Sequence, residues 1–301
     1  MGSALLLLLL FALGVTGNFF SKWKSNGIKT DTPLRYFLYL TLNGIVGSVF
    51  FLISGGFSLT VDASTAFYGA LCALCVSGVL VASVLLLRLA SVAAVHVLVS
   101  GFGMLATSFL GALLFEEMLD GLRILRLSLM LAAIASIFFD RRASGKGRKA
   151  QRGGNWIPLV LLLCVNTASS TGYSLSVRYY MLRGSADSHS LFFFTNAFLA
   201  AGALLIFLAL ALRRPATVRP SLDMLRPRMI GLIAGSTVIS NIGSLVSAWL
   251  VPLMDATVLT PVSSALNVLS AFAVTLLLRE RCGRYAILAA VLALATVLIP
   301  A

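Results

Sequence analysis

Acidic side chains and histidine are scarce in this sequence. Only 10 Asp and Glu and 2 His occur among 301 residues, and no acid falls in the middle of an apolar stretch. An intramembrane enzyme would need a buried acid or base, an activated nucleophile or a set of metal ligands. We therefore predict no catalytic residue, no metal site and no cofactor.

Cysteine is sparse as well, with four in the chain. Cys72 and Cys75 form a C-x-x-C pair inside an apolar stretch, without the nearby His or further Cys that a zinc or redox site needs. Cys164 lies inside another apolar stretch and Cys282 at the end of one. We expect these residues to pack as small apolar side chains and to form no disulfide framework.

Long apolar runs are what the sequence does contain. Hydrophobic residues make up 59% of the chain, charged residues 11%, and the mean hydropathy is +1.00. Runs of about 20 apolar residues suit helices that cross a bilayer, because the backbone must satisfy its own hydrogen bonds in lipid. The predicted fold class is an all-α integral membrane protein with ten transmembrane helices. The ten predicted spans are 3–21, 33–54, 65–87, 92–115, 121–139, 156–178, 189–212, 229–251, 256–278 and 283–299.

Basic residues predict the orientation of these spans. Alternating the loops between two sides places 19 of the 23 Lys and Arg on one side. Basic loops stay in the cytoplasm, so both termini are expected outside, and the first span is expected to be retained because it lacks the basic start of a signal peptide. The net charge of +13 is spread over span ends, which indicates a lipid bilayer and not nucleic acid as the partner. We expect a bacterial plasma (inner) membrane.

The most basic loop divides the chain into two halves. The stretch 140–155 has six basic residues and one acid, and we predict a cytoplasmic linker between a first five-helix repeat (1–139) and a second (156–301). Five spans before the linker mean that the second half enters from the opposite side, as in transporters built from inverted repeats. Three matches in the same order support the repeat. They are Thr16-Gly17 with Thr171-Gly172, Asn43 with Asn196, and Glu116-Glu117 with Glu280.

Ten spans in five plus five, with glutamates after spans four and nine, resemble the EamA-type members of the drug/metabolite transporter superfamily. The run Ala256-Thr-Val-Leu-Thr260-Pro261, followed nineteen residues later by Glu280, is similar to that family's ninth-helix signature. Val97 stands where the first half would carry the matching proline, a departure from the pattern. The resemblance implies a central cavity lined by helices 1, 3, 4, 6, 8 and 9. It also implies a solute such as an amino acid, another metabolite, a nucleotide sugar or a drug.

Polar residues at helical spacing within the spans are the candidates for that cavity. Such stripes must face protein or water, and packing between helices is the alternative to cavity lining. For the mid-span asparagines we favour cavity lining, because amides offer both donors and acceptors to a polar metabolite. The predicted substrate-binding residues are His96, Ser100, Asn166, Ser170, Tyr173, Asn241, Ser244, Thr260 and Asn267.

Two further polar positions, His96 and Arg178, have two interpretations each. His96 lies near the start of span four and could couple transport to protons, or bond a neighbouring carbonyl. Arg178, at the outer end of span six, could attract an anion at the cavity rim, or extend to the lipid headgroups. Asn43 and Asn196 are predicted at a rim or gate. The glutamates at span ends are expected to pair with Arg123, Arg126 or Arg284 and to anchor helix ends.

The predicted function is transport of a small polar or amphipathic organic solute by alternating access, without enzyme activity. A flippase for lipid or lipid-linked substrates is the alternative, and an intramembrane transferase is a more distant one. The substrate, its direction and the oligomeric state, monomer or homodimer, stay open at this point.

Overall fold

Helices make up most of the chain that the computed structural model describes, which is residues 2–27, 32–89, 92–116, 120–144, 156–182, 187–277 and 284–299. No strand occurs in these ranges. The eleven α-helices there are α1 Gly2–Gly27, α2 Pro33–Ser54, α3 Ala63–Leu89, α4 Val92–Phe115, α5 Gly121–Ser144, α6 Trp156–Leu182, α7 Ser188–Arg213, α8 Val218–Ser221, α9 Pro227–Leu250, α10 Ala256–Leu277 and α11 Arg284–Leu298. The predicted spans one to seven are thus α1–α7, and spans eight to ten are α9–α11.

Short polar side chains fix where several helices begin. Thr32 precedes α2 and its hydroxyl accepts from the amide of Arg35, while Pro33 needs no donor in the first turn. Asp187 precedes α7, and its carboxylate accepts from the amide of His189 at 3.0 Å and from the hydroxyl of Ser190. Such caps satisfy amides that the first turn leaves without a backbone acceptor.

Six helices are long and apolar enough to cross a membrane. They cover Pro33–Ser54, Ala63–Ser83, Val160–Leu182, Ser188–Arg213, Pro227–Leu253 and Ala256–Val274. Shorter apolar stretches are Ala4–Phe20, Gly101–Phe115 and Ile287–Leu298. The coarse prediction of an all-helical protein with membrane-crossing helices is therefore confirmed. Of the predicted linker 140–155, residues 140–144 continue α5, since that helix ends at Ser144 and not at 139. The other linker residues lie outside the described ranges.

Two compact units make up the structure, and each takes residues from both sequence halves. Unit 1 consists of Met1–Val15, Gly78–Leu175 and Leu250–Ala301, and unit 2 of Thr16–Ser77 and Ser176–Trp249. Unit 1 contains α4, α5, α10 and α11 together with parts of α1, α3 and α6. Unit 2 contains α2, α7, α8 and α9 together with the other parts of those three helices.

In unit 1, α4 packs along α10 and α5 along α11. Its core contains Met104 of α4, Met130 of α5, and Ala265 and Val268 of α10, all buried. Small alanines let the helices approach closely, and the flexible methionines fill the space that remains between them.

In unit 2, α2 packs along α7 over much of their length. The aromatic rings of Phe51 and Phe192 lie 5.3 Å apart at this interface. At Gly44 the helices approach so closely that an added Cβ would lie 2.6 Å from the carbonyl oxygen of Asn196. The absence of a side chain at Gly44 is therefore what permits this contact.

Candidate functional site

One stretch of α6 in unit 1 contacts α3 and α4 through small and polar residues. Ser170 faces Gly103 of α4, where an added Cβ would lie 3.0 Å from the Ser170 hydroxyl. Thr107 of α4 and Thr171 are hydrogen bonded at 3.4 Å, and both are buried. On its other side this stretch meets α3. We call the group formed by residues 78–83, 103–108 and 166–171 the α6 junction.

Asn166 is the buried amide of the α6 junction, with no exposed surface. Its Nδ2 donates to the carbonyl of Val79 at 3.2 Å and to the Ser83 hydroxyl at 2.9 Å. Because a carbonyl can only accept, the orientation of the amide is fixed and Oδ1 points away from Val79. Within the described residues Oδ1 has no hydrogen-bond partner. Asn166 thus holds a spare acceptor inside an apolar helix.

Unit 2 has a corresponding buried amide on α9. Asn241 is 8% exposed, and its Nδ2 has no hydrogen-bond partner among the residues that the structure describes. One turn earlier, the Thr237 hydroxyl lies within hydrogen-bonding reach of Asn43 Oδ1 on α2 and of the Ile233 carbonyl. Each unit therefore carries one mid-helix asparagine with a polar atom left over. Such an atom is costly to bury without a partner.

Two residues predicted at a rim or gate are buried. Asn196 is 8% exposed, donates to the Phe192 carbonyl at 2.8 Å and contacts Gly47 of α2, so it lies in the α2–α7 interface. Arg178 is 7% exposed and lies in unit 2. The neighbouring Tyr180 is hydrogen bonded through its hydroxyl to Thr65 of α3 at 2.8 Å. Arg178 is thus placed in the protein interior, whereas extension to lipid headgroups would expose it.

The other predicted residues are spread over both units. Ser170 donates to the Thr167 carbonyl at 3.1 Å and Ser244 to the Ser240 carbonyl at 3.2 Å, so both hydroxyls bond within their own helix. Tyr173 and Thr260 are half-buried and Asn267 is exposed. The side chains of His96 and Ser100 lie outside the described ones, although the helix that carries them, α4, is described.

A charged cluster at one end of unit 1 was missed by the sequence argument. Arg123 of α5 forms an ion pair with Asp255 at 2.6 Å and donates to the Thr257 hydroxyl at 2.9 Å. The sequence analysis instead expected glutamates at span ends to pair with Arg123, Arg126 or Arg284. Two of those glutamates, Glu117 and Glu280, lie outside the described residues. Arg126 is 1% exposed and donates to the Ile299 carbonyl at 3.0 Å. The signal available was position, since Arg123 and Asp255 both lie at span ends on the predicted outer side.

A titrating group outside the spans is Asp62, which precedes α3. Its Oδ1 accepts from the Thr65 amide at 2.7 Å. Hydrogen bonds from the Thr65 hydroxyl and amide lower the pKa of the Asp62 carboxyl, because they favour its charged form. Among the described residues there is no group of three His, Cys, Asp or Glu that could hold a metal ion.

Comparison with known proteins supports the fold. No family model matches the chain, and no curated protein matches it. Among solved structures, one crystal structure of a protein is similar over 99% of this chain and 96% of the other, with a TM-score of 0.63 and 17% identity. At that identity the similarity shows the fold alone. The class so defined is an all-helical protein with helices able to cross a membrane.

Proposed function

We propose that this chain is a membrane transporter of small polar or amphipathic organic solutes, an EamA-type member of the drug/metabolite transporter superfamily. It would work by alternating access between two inverted five-helix repeats formed by ten spans. The observation that carries the proposal is the pairing of helices. α2 packs along α7, α4 along α10 and α5 along α11.

Each of these pairs joins a predicted span to the span five places later. Spans two and seven, four and nine, and five and ten would be equivalent helices of the two repeats. Helices related by a two-fold axis meet their own counterparts in this way, as in a self-complementary interface. Transporters with inverted repeats hold their substrate near the repeat interface at mid-membrane. The pairing of helices therefore supports a transporter built from inverted repeats, in addition to the sequence match of Asn43 with Asn196.

The unpartnered amide atoms of Asn166 and Asn241 support a polar solute. Asn166 offers an acceptor and Asn241 a donor. Polar groups inside membrane helices are costly, and substrate pathways are one place where they are kept. Either group alone can recognise a polar solute such as an amino-acid-like metabolite, Asn166 by accepting from a donor and Asn241 by donating to an acceptor. We also propose that the protein lies in the bacterial inner membrane with both termini outside.

The direct test uses purified protein in liposomes. A mixture of amino acids, other metabolites and nucleotide sugars is offered outside, and vesicle contents are measured by mass spectrometry against empty liposomes. Protein-dependent accumulation of a chemically unchanged solute is expected. Movement of fluorescent phospholipid between leaflets without solute uptake would favour the flippase, and a chemically altered product would favour the transferase.

Substitution of the asparagines tests the site. We expect Asn166→Leu, Asn241→Leu and Asn267→Leu each to lower the initial rate of uptake at least tenfold, because leucine has a similar size but no polar group. Ala168→Leu and Gly231→Leu, on exposed parts of α6 and α9, are the matched controls and should keep uptake. Normal uptake by the asparagine variants, with normal insertion, would contradict the cavity assignment.

A further inference from the structure

The connection between α7 and α9 folds into a short helical segment of its own. Residues 214–226 contain a 3-10 turn at Pro215–Thr217, the four-residue α8 and a second 3-10 turn at Leu222–Leu225. The Thr217 hydroxyl donates to the Arg214 carbonyl and the Ser221 hydroxyl to the Thr217 carbonyl, each at 2.8 Å. We call residues 213–228 the surface segment.

Arg35 of α2 connects the surface segment to the rest of unit 2 through hydrogen bonds. Its guanidinium donates through Nε at 3.1 Å and through Nη2 at 2.9 Å to the Pro220 carbonyl. Nη2 also lies 3.8 Å from Asp223. Ser221 and Met224 are buried, at 0% and 3% exposure. The segment thus has a defined inner side.

The exposed residues of the surface segment are mostly basic or apolar. Leu222 and Leu225 are 44% and 43% exposed, and since 3-10 residues three apart eclipse one another they share a face. Five arginines accompany them against one acid, Asp223, which pairs with Arg226 at 3.0 Å. The exposed arginines are Arg213, Arg214, Arg219, Arg226 and Arg228. Arg219 and Arg228 have no ion-pair partner among the described residues.

The helices before and after the surface segment indicate where it lies relative to the bilayer. α7 and α9 are both long and apolar enough to cross a membrane, so the short connection between them lies at the bilayer surface. There, guanidinium groups meet phosphates, to which they can donate two parallel hydrogen bonds, and exposed leucines meet acyl chains. A net positive face at this depth complements the negative charge of anionic lipids.

We propose that the surface segment is a binding site for anionic phospholipid. Arg219 and Arg228 bind the headgroup phosphate, and Leu222 and Leu225 contact the upper acyl chains. Zwitterionic lipid has the same phosphate but carries a compensating cation, so the site prefers lipids with net negative charge. The inference is independent of which solute the protein carries.

The test measures lipid binding to the full-length protein in neutral detergent by native mass spectrometry. Phosphatidylglycerol and phosphatidylcholine with identical acyl chains are titrated separately, and phosphatidylglycerol is expected to bind at least tenfold more tightly. Arg219→Gln/Arg228→Gln should lower its affinity about tenfold and abolish the preference. Arg219→Lys/Arg228→Lys, which keeps the charge but loses the planar pair of donors, should fall between.

Three further experiments distinguish a lipid phosphate from a free phosphate ester and test whether the position of the arginines matters. Glycerol 3-phosphate should not displace the lipid, and Leu222→Ser/Leu225→Ser should weaken lipid binding, because the acyl contact is part of the site. Arg284→Gln removes one exposed arginine beside another span and should leave the affinity unchanged, whereas Arg219→Gln should lower it. Equal binding of the two lipids, or equal loss from Arg284→Gln and Arg219→Gln, would overturn the proposal. Unchanged melting temperatures show that the variants are folded.

Discussion

Gly44 illustrates how single residues set helix spacing in this protein. An added Cβ at Gly44 would lie 2.6 Å from the Asn196 carbonyl oxygen and 2.7 Å from the Ala200 amide nitrogen, both backbone atoms of α7. Backbone atoms cannot move aside as a flexible side chain can. Small residues at such contacts let membrane helices pack by van der Waals attraction, since there is no hydrophobic drive between helices in lipid.

We therefore expect Gly44→Ala to destabilise unit 2 by about 1–3 kcal/mol, as overpacked interiors are destabilised. The measurement is the thermal unfolding midpoint of the full chain in detergent. Gly202→Ala is the matched control on α7, because its Cβ would meet no atom within 4 Å. A Gly44 variant as stable as the Gly202 variant would contradict the close approach of α2 and α7.

At the same scale, the asparagines show what the sequence can and cannot predict. Hydropathy places Asn166, Asn196 and Asn241 within spans, and all three are buried. The stripes did not predict that Asn196 would pack on Gly47 or that Asn166 would bond to Ser83 of α3. Those partners depend on the rotation of each helix and on which helices are neighbours. A stripe on one helix contains neither kind of information.

At the scale of elements, capping residues hold helix ends in place. Asp62 precedes α3, and its pKa is lowered by hydrogen bonds from Thr65. A carboxyl with a lowered folded-state pKa stabilises the protein above its ordinary value of about 3.9. That contribution declines as the pH falls and is lost once the pH has passed below the lowered pKa.

Asp62→Asn tests this pH dependence. Asparagine can still accept from the Thr65 amide but does not titrate. We expect the unfolding midpoint of the unmodified chain to fall more steeply between pH 5.5 and pH 3 than that of the variant, and the two curves to converge at the acid end. Parallel curves over this interval would show that Asp62 has no stabilising bond that depends on its charge.

The elements themselves were largely predictable. Apolar length predicts where the long helices lie, because that signal is local in sequence. The helix ends were harder to predict. Helix α1 runs to Gly27 and α5 to Ser144, past the predicted ends at 21 and 139, because basic residues continue a helix as readily as apolar ones do. The short turns of 214–226 were missed, because three or four residues carry no hydropathy period.

At the scale of the whole molecule, the proposed topology predicts which side of the membrane each loop faces. With both termini outside, the turn after α2 faces outward and the surface segment faces the cytoplasm. Single cysteines at Ser58 and Leu222, in a variant whose four native cysteines are alanine, report this. We expect a membrane-impermeant maleimide to label position 58 on intact cells and position 222 only after permeabilisation. The reverse pattern would invert the orientation, and labelling of both from outside would contradict the span count.

The packing of α2 on α7 also bears on how the protein is made. When the ribosome has completed the first half, α2 is in the membrane but α7 does not yet exist. Neither compact unit can close at that moment, because each needs segments from both halves. The early helices must therefore wait in the bilayer, with Gly44 and Gly47 facing lipid or a chaperone, until their counterparts are inserted. We therefore expect both compact units to form late in synthesis, after segments of the second half have been inserted.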